Sequence, residues 1–269
     1  GGVSQVDSFD PKPMLKKYDG KGLPFKGLDN LDVALKHKAG SGLVMDTTWD
    51  FHQRGESGAW ISDLWPHLAE HADDLCFIKS MHTRGTSHGQ AVSMIHTGSD
   101  NLLRPSVGSW VSYGLGSENE DRPGYVVLLS GPGGGAGTSM WGSGFLPSVH
   151  QGIQFRSEGD PVLFLSSPDG RDRSDRRQVL DALADLNTQH FETSGDPEIE
   201  SRIAQYEMSF RMQASVPELM NIDGETEATL QSYGAQPGKA SFANNCLLAR
   251  RLVERGVRLI ELYDADWDH

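Results

Sequence analysis

Three short groups of residues in this sequence bear side chains suited to holding a divalent ion or attacking an ester. Asp7 and Asp10 stand three apart in GGVSQVDSFDPKP, ahead of Pro11 and Pro13. His82, Thr86, Ser87 and His88 fall together in MHTRGTSHG. Asp264, Asp266, Asp268 and His269 close the sequence as YDADWDH. Carboxylates and imidazoles are hard and borderline metal ligands. One or two divalent ions, zinc, manganese or calcium, would orient a phosphate or sulfate ester, neutralise its charge and activate a nucleophile. Thr86 or Ser87 would supply the attacking hydroxyl. Each group also has a plainer reading. Asp7 and Asp10 can close a turn, Ser87 can cap a helix, and an acidic end can be surface.

The elements that would position these groups are strands with polar residues at their carboxyl ends. The organising stretch is Asp74 to Gly98. Leu75-Cys76-Phe77-Ile78 is a short apolar run of strand length. A polar loop follows, and a helix starts near Ser87 with Ala91, Met94 and Ile95 on one face. Ligands in open α/β sheets sit at the carboxyl ends of strands, and a helix amino terminus favours an anion. Val257 to Leu262 repeats this logic, a buried-type strand that delivers Asp264 and the acidic residues after it.

Between these junctions the chain alternates further elements. Ile61 to Ala72 reads as a helix with Ile61, Leu64, Trp65 and Leu68 inward, capped by Ser57 or Ser62. His67 and His71 would share its solvated face. Pro105 to Leu115 reads as a helix with Pro105 in the first turn and Val107, Trp110 and Val111 inward. Tyr125 to Leu129 is a strong strand, and the glycine-rich GPGGGAGTSMWGSGFLP after it is a long loop anchored by Trp141 and Phe145. It lacks the phosphate-loop and dinucleotide signatures. Pro161 to Leu165 is a short or edge strand, and SSPDGRDRSDRR a charged turn. Helices are expected over 177–191, 197–216 with Pro217 just beyond its end, 225–233, and 241–254 stopped at Gly256. No GxSxG elbow is present, so no Ser-His-Asp triad is assigned.

Composition narrows the function classes. The chain has 269 residues, 37% of them hydrophobic, and a formal net charge of -13. Such an acidic surface argues against a general nucleic-acid or anionic-membrane binder. No apolar run is long enough to span a membrane. Cys76 and Cys246 form no disulfide framework and no metal knuckle, and both read as buried small hydrophobes.

Several segments carry a resemblance when taken together. GGVSQVDSFDPKP, SMHTRGTSHGQAVSMIHTG with RPSVGSWVSYGLG, PGYVVL, GFLPSVHQG and the final DWDH resemble a large bacterial family, common in planctomycetes, that is often labelled sulfatase-like. That family belongs to the alkaline-phosphatase-like superfamily. The resemblance implies a mixed, mostly parallel sheet flanked by helices, forming one domain over 1–269. It implies metal ligands at strand ends and no organic cofactor. By it Asp7, or less well Asp10, is a ligand. Asp268 matches the aspartate of a Trp-Asp-x-His motif, with His269 at the variable position. The resemblance also implies export to the periplasm or beyond, and a small anionic sulfated or phosphorylated substrate. Family members continue into Gly-Glu-Phe-Gly-Arg-Thr and Asp-His segments. The chain is therefore expected to be a portion of a longer protein, incomplete at both ends and inactive alone. One departure is internal. Sulfatases carry Cys-x-Pro-Ser-Arg upstream of a Thr-Gly pair, and counting back from Thr97-Gly98 places His88 at the cysteine position. No formylglycine can form there, so Ser87 or Thr86 is expected as nucleophile with His88 as ligand or base. The alternative is a non-catalytic exported binding or structural protein on the same scaffold.

Overall fold

A computed structural model describes residues 3–22, 43–84, 87–101, 103–119, 121–131, 137–156, 162 and 172–264. The chain divides into two compact units, residues 1–86 with 267–269, and residues 87–266.

The first unit holds α1 (Gln5–Ser8), α2 (Pro13–Tyr18), β1 (Phe51–Arg54), β2 (Ala59–Ser62) and α3 (Pro66–Ala69). β1 and β2 form an antiparallel hairpin with Phe51 opposite Ser62 and Arg54 opposite Ala59. The helix expected over 61–72 does not form. Ile61 and Leu64 fit a helical spacing, but 59–62 is claimed by pairing with β1, and Pro66 begins the helical turn instead. Ile61 still reaches the core, with Ala69 and Ala72 beside it and Phe9, Trp65 and Phe77 around them. The caps expected from Ser57 and Ser62 are absent. The Ser57 N–H donates to Asp73 at 2.8 Å, and Ser62 Oγ donates to the Asp7 carbonyl.

The strand expected at 75–78 is also corrected. The segment is extended but pairs with no strand among the described residues. Phe77 alone finds a firm partner, the Phe9 ring at 5.0 Å, while Ile78 is 65% exposed. One inward side chain does not hold a backbone in a ladder. Cys76, expected to be buried, is exposed.

The second unit contains α4 (His88–Thr97), α5 (Val107–Leu115), β3 (Tyr125–Ser130), β4 (Ile153–Phe155), α6 (Arg173–Ser194), α7 (Glu198–Met220), α8 (Glu227–Tyr233), α9 (Phe242–Glu254) and β5 (Leu259–Asp264). Its sheet has the order β4-β3-β5, and both pairings are parallel. β4 is a three-residue strand, too short for its alternation to be read in the sequence. The strand expected over 161–165 lies outside the described residues except for Val162.

A parallel sheet has to be covered on both faces, and alternation along β3 supplies two apolar faces. Val126 and Leu128, with Phe155, pack against Met212, Val216 and Leu219 of α7 and Leu247, Leu248 and Leu252 of α9. Tyr125 and Val127 face Met140, Trp141 and Val92 of α4, with Leu259 and Tyr263 of β5. The α/β class expected from the sequence is the architecture found.

Four helices depart from expectation. In α5 the inward residues are Gly108 and Ser109, whereas Val107 and Trp110 are exposed. Pro105 precedes the helix, and Ser106 caps it by accepting from the Ser109 N–H at 3.2 Å. In α4 it is Val92 that packs inward, and Ile95 is 71% exposed. α7 runs through Pro217 to Met220; the proline forfeits one N–H, but Val216 and Leu219 on either side are fully buried and hold the last turn in place. α6 begins at Arg173, ahead of the expected start, because Asp172 and Asp175 form a reciprocal capping box. Trp141 is buried as an anchor should be, while Phe145 is exposed. Among the described residues no helix is long and apolar enough to cross a membrane.

Candidate functional site

In the first unit, Asp7 sits on α1 with its carboxyl held below the ordinary range by hydrogen bonds from the Ser4 and Thr47 side chains. It is therefore an anion at neutral pH, as a hard ligand has to be. Asp10 is placed differently. Its carboxylate pairs with Lys12 at 2.5 Å and has Lys79 at 4.0 Å. Two ammonium groups compete with any cation for Asp10, so Asp7 is the better donor.

In the second unit, Ser87 stands at the N-cap position of α4, where the sequence places it. Its side chain does not cap the helix. Oγ instead lies 3.3 Å from Gln90 Oε1, to which it donates. Ser87 and His88 are both exposed. The hydroxyl is thus not committed to a backbone amide, which removes the simple capping role. Thr86 lies outside the described residues.

The carboxyl ends of β3 and β5 form the second unit's polar edge. Their parallel register brings Ser130 opposite Asp264. Beneath them Asn245, only 1% exposed, donates through Nδ2 to the Leu129 carbonyl at 3.1 Å and to Ser130 Oγ at 2.8 Å. Burial, and then the Asp264 charge, push the neighbouring Cys246 thiol up, so it is a protonated, inert group. Gly131, at φ 90°, turns the chain away directly after β3. Asp264 is exposed. Asp266, Asp268 and His269 lie outside the described residues. Among the described residues, no three His, Cys, Asp or Glu side chains gather as a metal centre requires.

A half-buried polar group that sequence reasoning missed lies on the other side of β5. Glu261 shares with Leu259 and Tyr263 the face toward Tyr125 and α4. Tyr263 Oη donates to Glu261 Oε2 at 2.5 Å and lies 3.3 Å from His96 Nδ1, which is itself 4.0 Å from Glu261. The His96 and Tyr263 rings are 5.3 Å apart. Burial raises the Tyr263 phenol, and its bond to Glu261 raises it further. Burial lowers the His96 imidazole and outweighs the opposing Glu261 charge. The signal in the sequence was a single acid, Glu261, inside an otherwise apolar strand. A charge at such a position requires a partner.

The sign of a pH effect follows. A neutral His96 is favoured by the fold, so the unfolded chain binds more protons, and stability falls as pH drops below the ordinary imidazole value of about 6.5. His150 is also lowered by burial and adds a slope of the same sign. Urea midpoints measured between about pH 7.5 and 5.5 are expected to fall less steeply in His96→Phe than in the unaltered chain. An unchanged slope would mean that His96 does not titrate differently on folding.

The fold and its edges define a class, an α/β protein whose parallel sheet ends in a serine, an acid and a buried amide. The chain belongs to the family described as "Protein of unknown function (DUF1501)", whose model matches residues 1–269. No curated protein and no solved structure matches it.

Proposed function

We propose that this protein is a metal-dependent hydrolase of phosphate or sulfate esters, a sulfatase-like member of the alkaline-phosphatase-like superfamily that works outside the cytoplasm. The observation that carries this reading is the parallel register of β3 and β5. It ends two strands side by side at Ser130 and Asp264, where open α/β sheets bind their ligands. The sequence continues from that edge into further acids.

The donor set suits a hard or borderline divalent ion. Asp7, Asp268 and His269 are the residues assigned to hold it, with Asp10 disfavoured by its lysines. When bound, such an ion neutralises ester charge and polarises the scissile bond. The chain's own contribution begins at α4. Ser87 Oγ, released from Gln90, attacks the phosphorus or sulfur. Its proton passes to His88, which returns it to the departing alkoxide as the ester bond breaks; water, giving a proton to His88, then displaces the seryl oxygen, which takes that proton back as inorganic phosphate or sulfate leaves. The amino terminus of α4 favours the anionic group while this occurs.

The test is elemental mass spectrometry on protein purified without chelator. Zinc, manganese or calcium at one or two equivalents is expected, with loss in Asp7→Ala and Asp268→Ala and retention in Ser87→Ala. Folding of each variant is checked by circular dichroism. A folded protein that stays metal-free through titration with all three ions would overturn the reading in favour of a binding or structural role.

A further inference from the structure

Two adjoining cavities of about 280 and 530 Å³ open beside β4 in the second unit, sharing Val149, Gln151, Ile153, Val162 and Gln205 along their boundary. Neither contains a residue assigned to ester hydrolysis. The smaller one is walled by Tyr125, Ile153, Met208 and Met212, which give it a largely apolar surface. Aromatic and thioether side chains of this kind adapt to flat apolar ligands.

One polar pair interrupts that wall. Ser112 Oγ and His150 Nδ1 lie 3.2 Å apart, and both residues line the cavity. The His150 imidazole is lowered by burial, so it is neutral at physiological pH. A neutral imidazole donates from one nitrogen and accepts at the other. Nδ1 is engaged by Ser112, and the Tyr113 ring meets the imidazole edge-on with centroids 5.3 Å apart, which fixes its plane. Nε2 has no hydrogen-bond partner among the described residues. The remaining polar residues of the cavity, Ser117, Gln151, Gln205 and Ser209, are uncharged.

We propose that this cavity is a binding site for a neutral aromatic molecule bearing one hydroxyl, with the Ser112–His150 pair as its hydrogen-bonding end. Size and chemistry agree on this class. A dry apolar cavity of roughly 150 Å³ takes up benzene, and the present one has space for a second fused ring. Few polar groups in an apolar wall are what orient such a ligand. A charged ligand would be desolvated against Met208, Met212 and Tyr125 with no opposite charge among the described residues that line this cavity. The site is independent of the proposed hydrolysis, because its residues take no part in it.

The test uses 2-naphthol, followed by its own fluorescence in titrations of the whole chain. Saturable binding of one equivalent is expected. Naphthalene, which lacks the hydroxyl, is expected to bind about tenfold more weakly, as is 2-naphthol to His150→Leu. Ser209→Trp, which fills the cavity from a side chain that makes no hydrogen bond among the described residues, should abolish binding. His150→Gln, which keeps a donor and an acceptor, should restore part of what His150→Leu loses. Circular dichroism confirms that each variant is folded. Absence of saturable binding to the folded unaltered chain would overturn the proposal. So would equal affinity for naphthalene, or an affinity unmoved by both His150→Leu and Ser209→Trp.

Discussion

Gly108→Ala is expected to destabilise the second unit by about 3 kcal/mol, whereas Gly114→Ala, in the same helix, is expected to stabilise it by about 0.5–1 kcal/mol. The substitution is identical, and helix propensity favours alanine at both sites. Packing decides the sign. A Cβ on Gly114 would meet nothing within 4 Å. A Cβ on Gly108 would overlap the Tyr125 ring and stand 2.6 Å from Leu259 Cδ2. Tyr125 cannot swing aside, because it is 1% exposed and Gly152 also packs against its Cε1 edge. A Cβ there would lie 2.9 Å from Tyr125 Cε1, Trp141 Cβ and Val127 Cγ2. Two glycines thus make the slot for one aromatic ring, and α5 approaches the sheet through that slot. Thermal melts check the pair. At about 2–4 °C per kcal/mol for a unit of this size, Gly108→Ala should melt roughly 6–12 °C lower. Replacing Tyr125 with leucine should at least halve the added cost of Gly108→Ala, since neighbours couple and distant sites do not. Equal melting temperatures for the two alanine variants would mean that α5 does not sit on Tyr125.

Much of the second unit was legible in the sequence because periodicity and punctuation agree there. β3 is a continuous apolar run, as a central strand covered on both faces must be, and β5 is one broken by Glu261. α9 starts after Ser241 and stops before Gly256, and α8 lies as expected within 225–233. The start of α4 at Ser87 was legible from the change of pattern. What was not legible depends on partners distant in sequence. Val107 and Trp110 carry the apolar weight of α5, yet the helix turns Gly108 and Ser109 inward because Tyr125 needs the space. Ile61, Leu64, Trp65 and Leu68 suit a helix, yet a pairing with β1 and the position of Pro66 decided otherwise. Leu75 to Ile78 has the composition of a strand and no neighbour to pair with among the described residues. The site divides in the same way. Ser87 and Asp264 stand at element ends, where local rules apply. The Glu261–Tyr263–His96 group joins β5 to α4 across more than half the chain, and only the fold assembles it.

Asn245→Leu is expected to cost about 2–3 kcal/mol and to loosen the edge at which Ser130 and Asp264 stand. Leucine has the branching and heavy-atom count of asparagine, so the change removes the hydrogen bonds with the smallest change of shape. Asn245 is fully buried on α9, and its Nδ2 donates to both the Leu129 carbonyl and Ser130 Oγ. The carbonyl can only accept, which fixes the amide's orientation. With leucine in place, both half-buried oxygens lose the Nδ2 donor and face apolar carbon, and an acceptor left without its donor costs more than a mean hydrogen bond returns. Asn245→Asp tests the same point by charge. At neutral pH a carboxylate there faces the Leu129 carbonyl oxygen with no proton to donate, and its own burial is uncompensated. The aspartate variant should therefore be less stable than the leucine variant above its raised carboxyl pKa. It should regain stability relative to the unaltered chain as pH falls and the carboxyl protonates, because the protonated form can donate again. Denaturation from pH 8 to 5, with amide exchange read at 129–131, separates the cases. If the leucine variant keeps full stability and protection at 129–131, Asn245 is not what holds the strand end. If the edge loosens while metal content is unchanged, the metal ligands do not depend on it, and the fold argument stands.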